Sequence, residues 1–481
     1  MGATRAFLGI PFAAPPVGEL RWKPPQPAAA WSEVLDATHR GPACAQLGAI
    51  SPTFDESSSE DCLTLNVWAP ADAGASPAPV LLWIHGGTFI IGSGGEPQYD
   101  GQRLAEATGS VVVTINYRLG PLGFLGLAAL RGEDPAYPSA GMYGFEDQRA
   151  ALAWTRDNIA AFGGDATNVT VFGESAGAFS VCYHLLSPKS AGLFQRAIIE
   201  SGACASSLAA TQTAAEAQAD KLAVALGCTG TDALACLRAK PADALLLALP
   251  AGAADIFGAN RWGPVVDGWN LADDPRALLE AGEIAAVPTI LGSNANEGTL
   301  FFALGPTMVT DDAAYLALVE SLVPGQGQEV VDQYPSAMYA SPQAAAADVV
   351  GDAAFVCPAR RTARALAKAG IPAFLYHFTH APSGALLPDL GAFHSSEISF
   401  VFGNPSLLLP DSPSAEEAPL LEAMTGYWGR MAAKGDPNGE GAVEWPAYTM
   451  AGDENLVLDL AVSQQSGLKE ARCDFWDTIG L

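Results

Sequence analysis

The feature that most constrains the fold is an alternation of short apolar runs with longer segments of helical periodicity. Runs bounded by Pro, Gly or Asn predict buried strands, and the first half of the chain contains Val80–Ile84, Val111–Asn116, Val169–Phe172 and Ala197–Glu200. Helical segments are predicted at Glu146–Phe162 and Ala176–Leu186. Later strand candidates are Val287–Gly292, Ala373–Phe378 and Leu456–Leu460. This alternation predicts an α/β fold whose large, mostly parallel sheet is covered by helices on both faces.

The long stretches between the later strand candidates are mostly helical in pattern. We predict helical cap insertions at approximately 203–285 and 302–370, where Ala-rich segments such as 209–226 and 343–354 are typical of helix surface. No shift in composition marks a second domain, so we predict one domain over residues 1–481.

Composition and charge exclude several classes of function. Hydrophobic residues make up 49% of the chain and charged residues 16%, against about 25% charged in an average globular protein, which excludes a disordered chain. The net charge of −28 repels nucleic acid, so no nucleic-acid partner is predicted. No apolar run approaches the roughly 18–20 residues of a membrane span. No zinc-ligand spacing occurs, and neither a metal nor a cofactor is predicted.

The most specific motif is Gly173-Glu174-Ser175-Ala176-Gly177. It follows the predicted strand Val169–Phe172 and opens the helix that begins at Ala176, which is the context of a nucleophile elbow. A serine on this tight turn projects its hydroxyl above the sheet, and small neighbours make the turn possible. The backbone N–H of Ala176 lies at a helix N-terminus, where it can stabilise an oxyanion. An ordinary Gly-rich turn is the less favoured interpretation.

A serine nucleophile needs a base and an acid, which follow it along the chain in this type of fold. Of the six histidines, His377 and His380 lie in or beside a predicted strand, whereas His394 lies in a loop of small residues. His394 is therefore the predicted general base. Glu297 follows the strand candidate near 287–291 and is the candidate that orients it. From position alone, a solvated loop glutamate is an equally good interpretation of Glu297.

The segment from Trp83 to Phe89 supplies a candidate for the second half of an oxyanion hole. Gly86 and Gly87 directly follow a predicted strand, and glycine lets backbone N–H groups approach a substrate closely. A plain turn is the alternative interpretation.

Together these motifs resemble the type-B carboxylesterases, the α/β-hydrolase family that also contains cholinesterases and neuroligins. The resemblance covers nearly the whole chain, and the motifs that carry it are Phe7–Pro11, Ala14–Gly18, Leu20-Arg21, Glu60–Val67, Asn116–Arg118, Asp147–Arg149, Phe162–Asp165, Gly173–Gly177, Tyr427-Trp428 and Gly435–Asn438. It implies an α/β-hydrolase fold with Ser175, Glu297 and His394 as the triad. The family's oxyanion donors fall on Gly87, Thr88 and Ala176, with Gly86 beside them. Glu174, Ser201 and Glu397 fall on supporting positions.

Two departures from the family pattern bear on the activity. Thr88 replaces the Gly or Ala that is common at its position, so its Cβ narrows the oxyanion loop and puts activity on bulky tertiary-alcohol esters in doubt. The loop between Cys44 and Cys62 contains no Trp. Cholinesterases bind choline on a Trp in that loop by cation–π attraction, and the resemblance therefore does not imply their activity here.

The eight cysteines bear on the compartment. The resemblance implies disulfides between Cys44 and Cys62, between Cys228 and Cys236, and between Cys357 and Cys473. Cys182 and Cys204 are left over, and we expect them to be reduced. Disulfides imply an oxidising compartment, so a secreted or periplasmic protein is expected.

The resemblance implies a serine esterase that acts on small-molecule carboxylic esters through an acyl-enzyme. Two alternatives stay open, a non-catalytic adhesion module like the neuroligins and the same machinery acting on amides or transferring acyl groups. Candidate pocket residues are Phe89, Phe257, Arg261, Trp262, Phe301 and Phe302. Apolar walls favour acyl or aryl esters, whereas Arg261 would provide a local site for a polycarboxylic ester. The sequence predicts no oligomeric state.

Overall fold

The computed structural model describes residues 4–48, 55–71, 76–206, 208–252, 260–387 and 389–480. Their strands are β1 (Thr4–Pro11), β2 (Thr64–Pro70), β3 (Ala78–Ile84), β4 (Val111–Ile115), β5 (Gly164–Glu174), β6 (Arg196–Glu200), β7 (Ala210–Thr211), β8 (Val265–Val266), β9 (Thr289–Asn294), β10 (Ala373–Phe378), β11 (Glu454–Leu458) and β12 (Ser463–Ser466). Their α-helices are α1 (Gln102–Thr108), α2 (Gly120–Phe124), α3 (Tyr143–Asn158), α4 (Ala176–Leu186), α5 (Gln212–Ala225), α6 (Ala233–Arg238), α7 (Ala242–Ala248), α8 (Pro275–Glu280), α9 (Thr299–Leu304), α10 (Asp312–Leu322), α11 (Gly327–Gln333), α12 (Pro342–Gly351), α13 (Cys357–Lys368), α14 (Ile398–Phe402), α15 (Ala418–Lys434) and α16 (Glu470–Thr478).

One ten-stranded sheet organises the described residues, in the order β1-β2-β4-β3-β5-β6-β9-β10-β11-β12. The strands from β4 to β11 in this order pair in parallel. Antiparallel pairs join β1 to β2, β2 to β4 and β11 to β12 at the two edges. The prediction of a large, mostly parallel sheet is confirmed.

Both faces of the sheet are covered. Successive side chains of a strand point to opposite faces, so they pack in different cores. In β3, Leu82 packs in the core that contains Val181 of α4. Its neighbour Trp83 packs in the opposite core, which contains Trp428 of α15. A strand buried on both sides is a continuous apolar run, which explains why the central strands could be predicted from sequence.

Several predicted boundaries differ from the structure. β5 begins at Gly164, before the predicted Val169, because Gly164 already pairs with Ala78 of β3. β9 and β11 are displaced by two residues from the predicted ranges. β1, β2 and β12 were not predicted as strands, and β12 is exposed along its whole length and carries no apolar pattern.

The regions predicted as cap insertions are largely helical. Helices α5 to α8 and the two-stranded sheet of β7 and β8 occupy the first, and α10 to α13 occupy most of the second. Helix α13 packs against β9 and β10, so the end of the second region covers the sheet itself. Between α12 and α13 the chain forms a π-helix, Asp352–Val356. That these regions act as a cap stays a prediction.

Candidate active site

Ser175 occupies a strained turn between β5 and α4. Its φ is 54° and its ψ is −122°, outside the regions that a serine prefers. Its N–H donates to the backbone carbonyl of Glu200, 3.0 Å away. A Cβ on Gly177 would overlap the carbonyl of Ile84. The small residues of the motif therefore let the turn pack directly against β3, with Ser175 buried to 8% exposure.

His394 and Glu297 meet above the carboxyl ends of β9 and β10. His394 Nδ1 lies 2.6 Å from Glu297 Oε2, so the imidazole N–H donates to the carboxylate. The other oxygen, Oε1, accepts the N–H of Asn294 at 2.6 Å. Both side chains are buried. The structure therefore contradicts the interpretation of Glu297 as a solvated loop residue, because the carboxylate is held from two sides.

The two loops that carry these residues are joined by backbone contacts. Asn296 N–H donates to Ala392 O at 2.9 Å, and Ala392 N–H donates to Asn296 Oδ1 at 3.0 Å. Gly391 has a φ of +66°, and a Cβ there would overlap the Asn296 amide. Glycine is therefore required for the close approach that sets the histidine loop against the glutamate loop.

Glu174 approaches the other nitrogen of the histidine. Its Oε1 lies 3.1 Å from His394 Nε2. Burial lowers the pKa of His394, but the carboxylates of Glu174 and Glu297 outweigh it and raise that pKa to about 9. Burial also raises the pKa of Glu174 well above its usual value, although His394 partly opposes it. The imidazole therefore lies between two carboxylates, one at each nitrogen.

Two further buried acids interact electrostatically with these groups, Glu397 with His394 and Glu200 with Glu397 and Glu174. Glu397 accepts hydrogen bonds from Ser201 Oγ at 3.2 Å and from the amide of Asn294, and burial raises its pKa to about 7. Glu200 accepts a hydrogen bond from Trp428 Nε1 at 2.8 Å, and burial raises its pKa well above the usual value. Sequence reasoning did not select Glu200. Its position at the end of β6, next to the elbow strand in the sheet, was the available signal.

The residues of the predicted oxyanion loop lie beside the elbow. A Cβ built on Gly86 would lie 3.2 Å from Ser175 Cβ, so this glycine packs against the serine. The loop continues in the left-handed region at Gly87, Thr88 and Phe89, with φ values of 101°, 51° and 63°. Such a run exposes backbone N–H groups that strand pairing would otherwise use, which suits anion binding.

His85 and Tyr117 support this loop from beneath. His85 Nδ1 donates to Gly86 O at 2.8 Å, and Tyr117 Oη donates to His85 O at 2.9 Å. Their rings are stacked with centroids 4.4 Å apart. Burial lowers the pKa of His85 to about 4, so the ring is neutral near pH 7 and supports the loop without adding charge.

Two phenylalanines form an aromatic wall against the histidine. The ring centroids of Phe301 and Phe355 lie 5.1 and 4.8 Å from that of His394, and the two phenylalanine rings are parallel at 6.0 Å. Phe301 was a predicted pocket residue. Phe355 was missed, because it lies in the π-helix and no helical or strand periodicity points to it. π-Helical turns frequently occur at functional sites, but only the structure reveals this one.

The other predicted pocket residues have different surroundings. Phe89 is buried beside Phe124, with ring centroids 5.4 Å apart, and Phe302 is buried. Trp262 is buried in a separate apolar cluster with Trp22 and residues of α5 and α7. Arg261 is exposed, and Phe257 lies outside the described residues.

The matches to known proteins agree with this architecture. The model of the carboxylesterase family matches residues 2–476, which is nearly the whole chain. The chain belongs to the carboxylesterase family. Members named carboxylesterase and cholinesterase support its assignment as a carboxylic ester hydrolase with the α/β-hydrolase fold.

Two relatives in the carboxylesterase family align over almost all of the chain. Carboxylesterase 5A of Felis catus is 38% identical over an alignment that covers 98% of this chain and 89% of the relative. The cholinesterase of Mus musculus is 37% identical, with coverage of 99% and 83%.

The disulfides of this carboxylesterase family member include one that was not predicted. The three expected pairs are present, with Cα–Cα distances of 4.9, 5.4 and 4.9 Å in chain order. The expectation that Cys182 and Cys204 are reduced was wrong, because they form a fourth pair with a Cα–Cα distance of 4.9 Å. Cys182 lies on α4, and the chain after β6 packs so closely there that a Cβ on Gly202 would overlap Ala178. Four disulfides favour an extracellular or lumenal location.

Among the residues that the structure describes, no helix is both long enough and apolar enough to cross a membrane.

Proposed function

We propose that this chain is a serine carboxylesterase that works through an acyl-enzyme, with Ser175 as nucleophile, His394 as general base and Glu297 as the residue that orients it. The observation that carries the proposal is the 2.6 Å contact between His394 Nδ1 and Glu297 Oε2. It fixes the tautomer in which Nε2 is the nitrogen free to accept a proton. That nitrogen faces Glu174, the residue before the serine.

The reaction follows from these roles. Ser175 Oγ forms a bond to the ester carbonyl carbon, its proton moves to His394 Nε2, and the carbonyl π pair moves onto oxygen. Backbone N–H groups of Gly87, Thr88 and Ala176, with Gly86 beside them, stabilise that oxygen. The bond to the alcohol oxygen then breaks, and the alcohol takes the proton from Nε2. Water releases the acid from the acyl-enzyme by the same sequence.

Glu174 controls how the base is protonated. Its Oε1 lies 3.1 Å from His394 Nε2, and its carboxylate is one of the charges that raise the pKa of His394 to about 9. Catalysis requires a neutral His394, so that Nε2 can accept the serine proton. We infer that Glu174 is a positioning residue that also sets the pH at which the base becomes active.

The substrate class follows from the walls of the site. Phe301 and Phe355 present apolar rings beside His394, and Phe89 lies on the oxyanion loop. Apolar walls with few polar groups favour short to medium acyl or aryl esters. Arg261 is exposed rather than directed into a buried subsite, which gives no support to a polycarboxylic substrate. We further infer from the four disulfides that the protein is exported to a secreted or periplasmic location.

The test is hydrolysis of p-nitrophenyl butyrate by the parent protein, Ser175→Ala and Glu297→Gln. We expect Ser175→Ala to lose roughly 10⁴- to 10⁶-fold in kcat. Glu297→Gln should lose about 10³- to 10⁴-fold, because an amide cannot stabilise the imidazolium. Glu422→Gln, on the exposed face of α15, is the control and should match the parent.

Two results would contradict the proposal. Retention of activity by Ser175→Ala would exclude this nucleophile. A folded parent that hydrolyses no simple ester would favour the adhesion alternative.

A further inference from the structure

Thr88 is held in a backbone conformation that is unfavourable for its residue type. Its φ of 51° lies in the left-handed region, where a β-branched residue is a rare outlier and glycine suffers no penalty. The loop is fixed there, because the N–H groups of Ile90 and Ile91 donate to Gly87 O at 3.0 and 3.1 Å. Gly120 N–H donates to Phe89 O at 2.7 Å. The strain is therefore imposed by the surrounding structure.

The side chain of Thr88 makes a second unfavourable contribution to the free energy of folding. Its Oγ1 atom is buried and has no hydrogen-bond partner in the part of the chain that the structure describes. A buried hydroxyl without a partner loses its hydrogen bonds to water and gains nothing in return. Glycine would remove both the strain and the unpaired hydroxyl. A residue with two independent costs at one position in a reactive site needs a compensating role.

The position of Thr88 suggests what that role is. Gly86, two residues earlier, packs against Ser175, so the loop faces the nucleophile. In any threonine the backbone nitrogen and Oγ1 are separated by three bonds and are gauche in two of the three χ1 rotamers. In those two rotamers, an acceptor that is bound by the N–H of Thr88 is within reach of its hydroxyl.

We propose that the Thr88 hydroxyl is a further catalytic donor, which hydrogen-bonds the carbonyl oxygen of the substrate as it becomes an oxyanion. The proposal rests on the function proposed above. When Ser175 Oγ bonds to the carbonyl carbon, the π pair moves to oxygen and the hydroxyl of Thr88 gains a charged acceptor. Its O–H bond stays intact throughout. A donor that is unpaired in the free enzyme and paired in the transition state lowers the barrier rather than only tightening substrate binding.

The test compares Thr88→Val, which keeps the shape, with Thr88→Ser, which keeps the hydroxyl. With p-nitrophenyl butyrate we expect Thr88→Val to lose about 10- to 100-fold in kcat with little change in KM. Thr88→Ser should stay close to the parent. The melting temperature of Thr88→Val should equal or exceed that of the parent, because the unpaired hydroxyl is gone. A purely structural hydroxyl would not combine lower kcat with unchanged or higher stability.

Thr170 provides a matched control. It is buried in β5, and its Oγ1 also lacks a hydrogen-bond partner among the described residues, but it does not lie on the oxyanion loop. Thr170→Val should keep the kcat of the parent. If Thr88→Val retains full kcat, or if Thr88→Ser falls as far as Thr88→Val, the side chain acts through its volume and the proposal is overturned.

A transition-state analogue separates this proposal from the one on which it rests. A trifluoromethyl ketone forms a tetrahedral hemiketal with an active serine, and Thr88→Val should weaken its inhibition by the same factor as kcat/KM. Unchanged inhibition would overturn the role of the hydroxyl while leaving Ser175 as nucleophile. Activity in Ser175→Ala would overturn both assignments.

Discussion

At the scale of single residues, backbone strain gathers on the loops that surround Ser175. Nine non-glycine residues in the described ranges have a positive φ, and five of these lie on the site loops, namely Thr88, Phe89, Ser175, Ser201 and Ser395. Each costs free energy that the packed sheet beneath must offset. The site therefore consists of residues that a freely folding loop would not place in these conformations.

Glu174 is the residue that we expect to affect the pH dependence of the reaction most. Burial lowers the pKa of His394, but Glu174, Glu297 and Glu397 act in the opposite direction, with a resulting pKa of about 9. The base works only when neutral, so kcat/KM should rise with pH towards about 9. Glu174→Gln removes a negative charge beside Nε2, which lowers the pKa of His394. The acidic limb of the plot of kcat/KM against pH should therefore move to lower pH.

Initial rates from pH 5 to 10 test this shift. Glu422→Gln, on the exposed face of α15, is the control. The acidic limb of its pH–rate profile should coincide with that of the parent. An acidic limb that stays in place in Glu174→Gln would show that Glu174 does not influence the base.

At the scale of elements, the start of α15 is tied to the chain that leads to His394. Glu417 precedes α15 and accepts hydrogen bonds from the N–H and Oγ of Ser383, at 2.7 and 2.9 Å. Ser414 N–H and His380 Nε2 donate to the same carboxylate at 2.8 and 2.9 Å. Four donors on one carboxylate at a helix N-terminus fix the helix and the loop as one unit.

These contacts predict a pH-dependent contribution to stability. Burial raises the pKa of Glu417, but the hydrogen bonds from Ser383, His380 and Ser414 outweigh it and lower the pKa from 4.5 to about 2. The stabilisation is complete above the unfolded value of 4.5 and is lost as pH falls through about 2. Glu417→Gln should lower the free energy of unfolding at pH 7 by about 2 to 3 kcal/mol.

Denaturant unfolding at pH 7, 4 and 2.5 checks this expectation. The difference between the parent and Glu417→Gln should shrink as the pH falls. Glu422→Gln on the exposed face of α15 should behave like the parent at every pH. A constant difference would mean that the lost contacts, rather than the charge, account for the effect.

At the scale of the whole molecule, disulfides connect segments far apart in the chain. Cys357 and Cys473 close a loop with a separation of 116 residues, which joins α13 to α16. Cys228 and Cys236 are only 8 residues apart. The first pair restricts the unfolded chain far more strongly, since the entropy of loop closure grows with the logarithm of loop length.

We expect the double substitution Cys357→Ala/Cys473→Ala to destabilise the protein by about 2 kcal/mol more than Cys228→Ala/Cys236→Ala does, from the loop-length difference alone. Denaturant midpoints of the two variants and the parent measure this difference. Equal destabilisation would mean that local packing, rather than loop length, determines what each bridge contributes.

The sequence by itself determined the central sheet and the strained turn at Ser175, and it led to the prediction of His394 among the six histidines. These features are local. An apolar run predicts a strand buried on both faces, and small residues between a strand and a helix predict a tight turn. The edge strand β12 was not predicted, because all its side chains are exposed and no apolar pattern marks it. Only pairing with β11 makes it a strand.

Only the tertiary structure decided the features that join residues far apart in the chain. Phe355 reaches His394 through a π-helix, Glu200 lies in the buried acid cluster, and Cys182 pairs with Cys204. Sequence position alone likewise did not decide whether Glu297 is buried or solvated. In the structure, each of its two carboxylate oxygens accepts a hydrogen bond. Local patterns report which faces are buried, but they do not report which side chains meet once the loops close above the sheet.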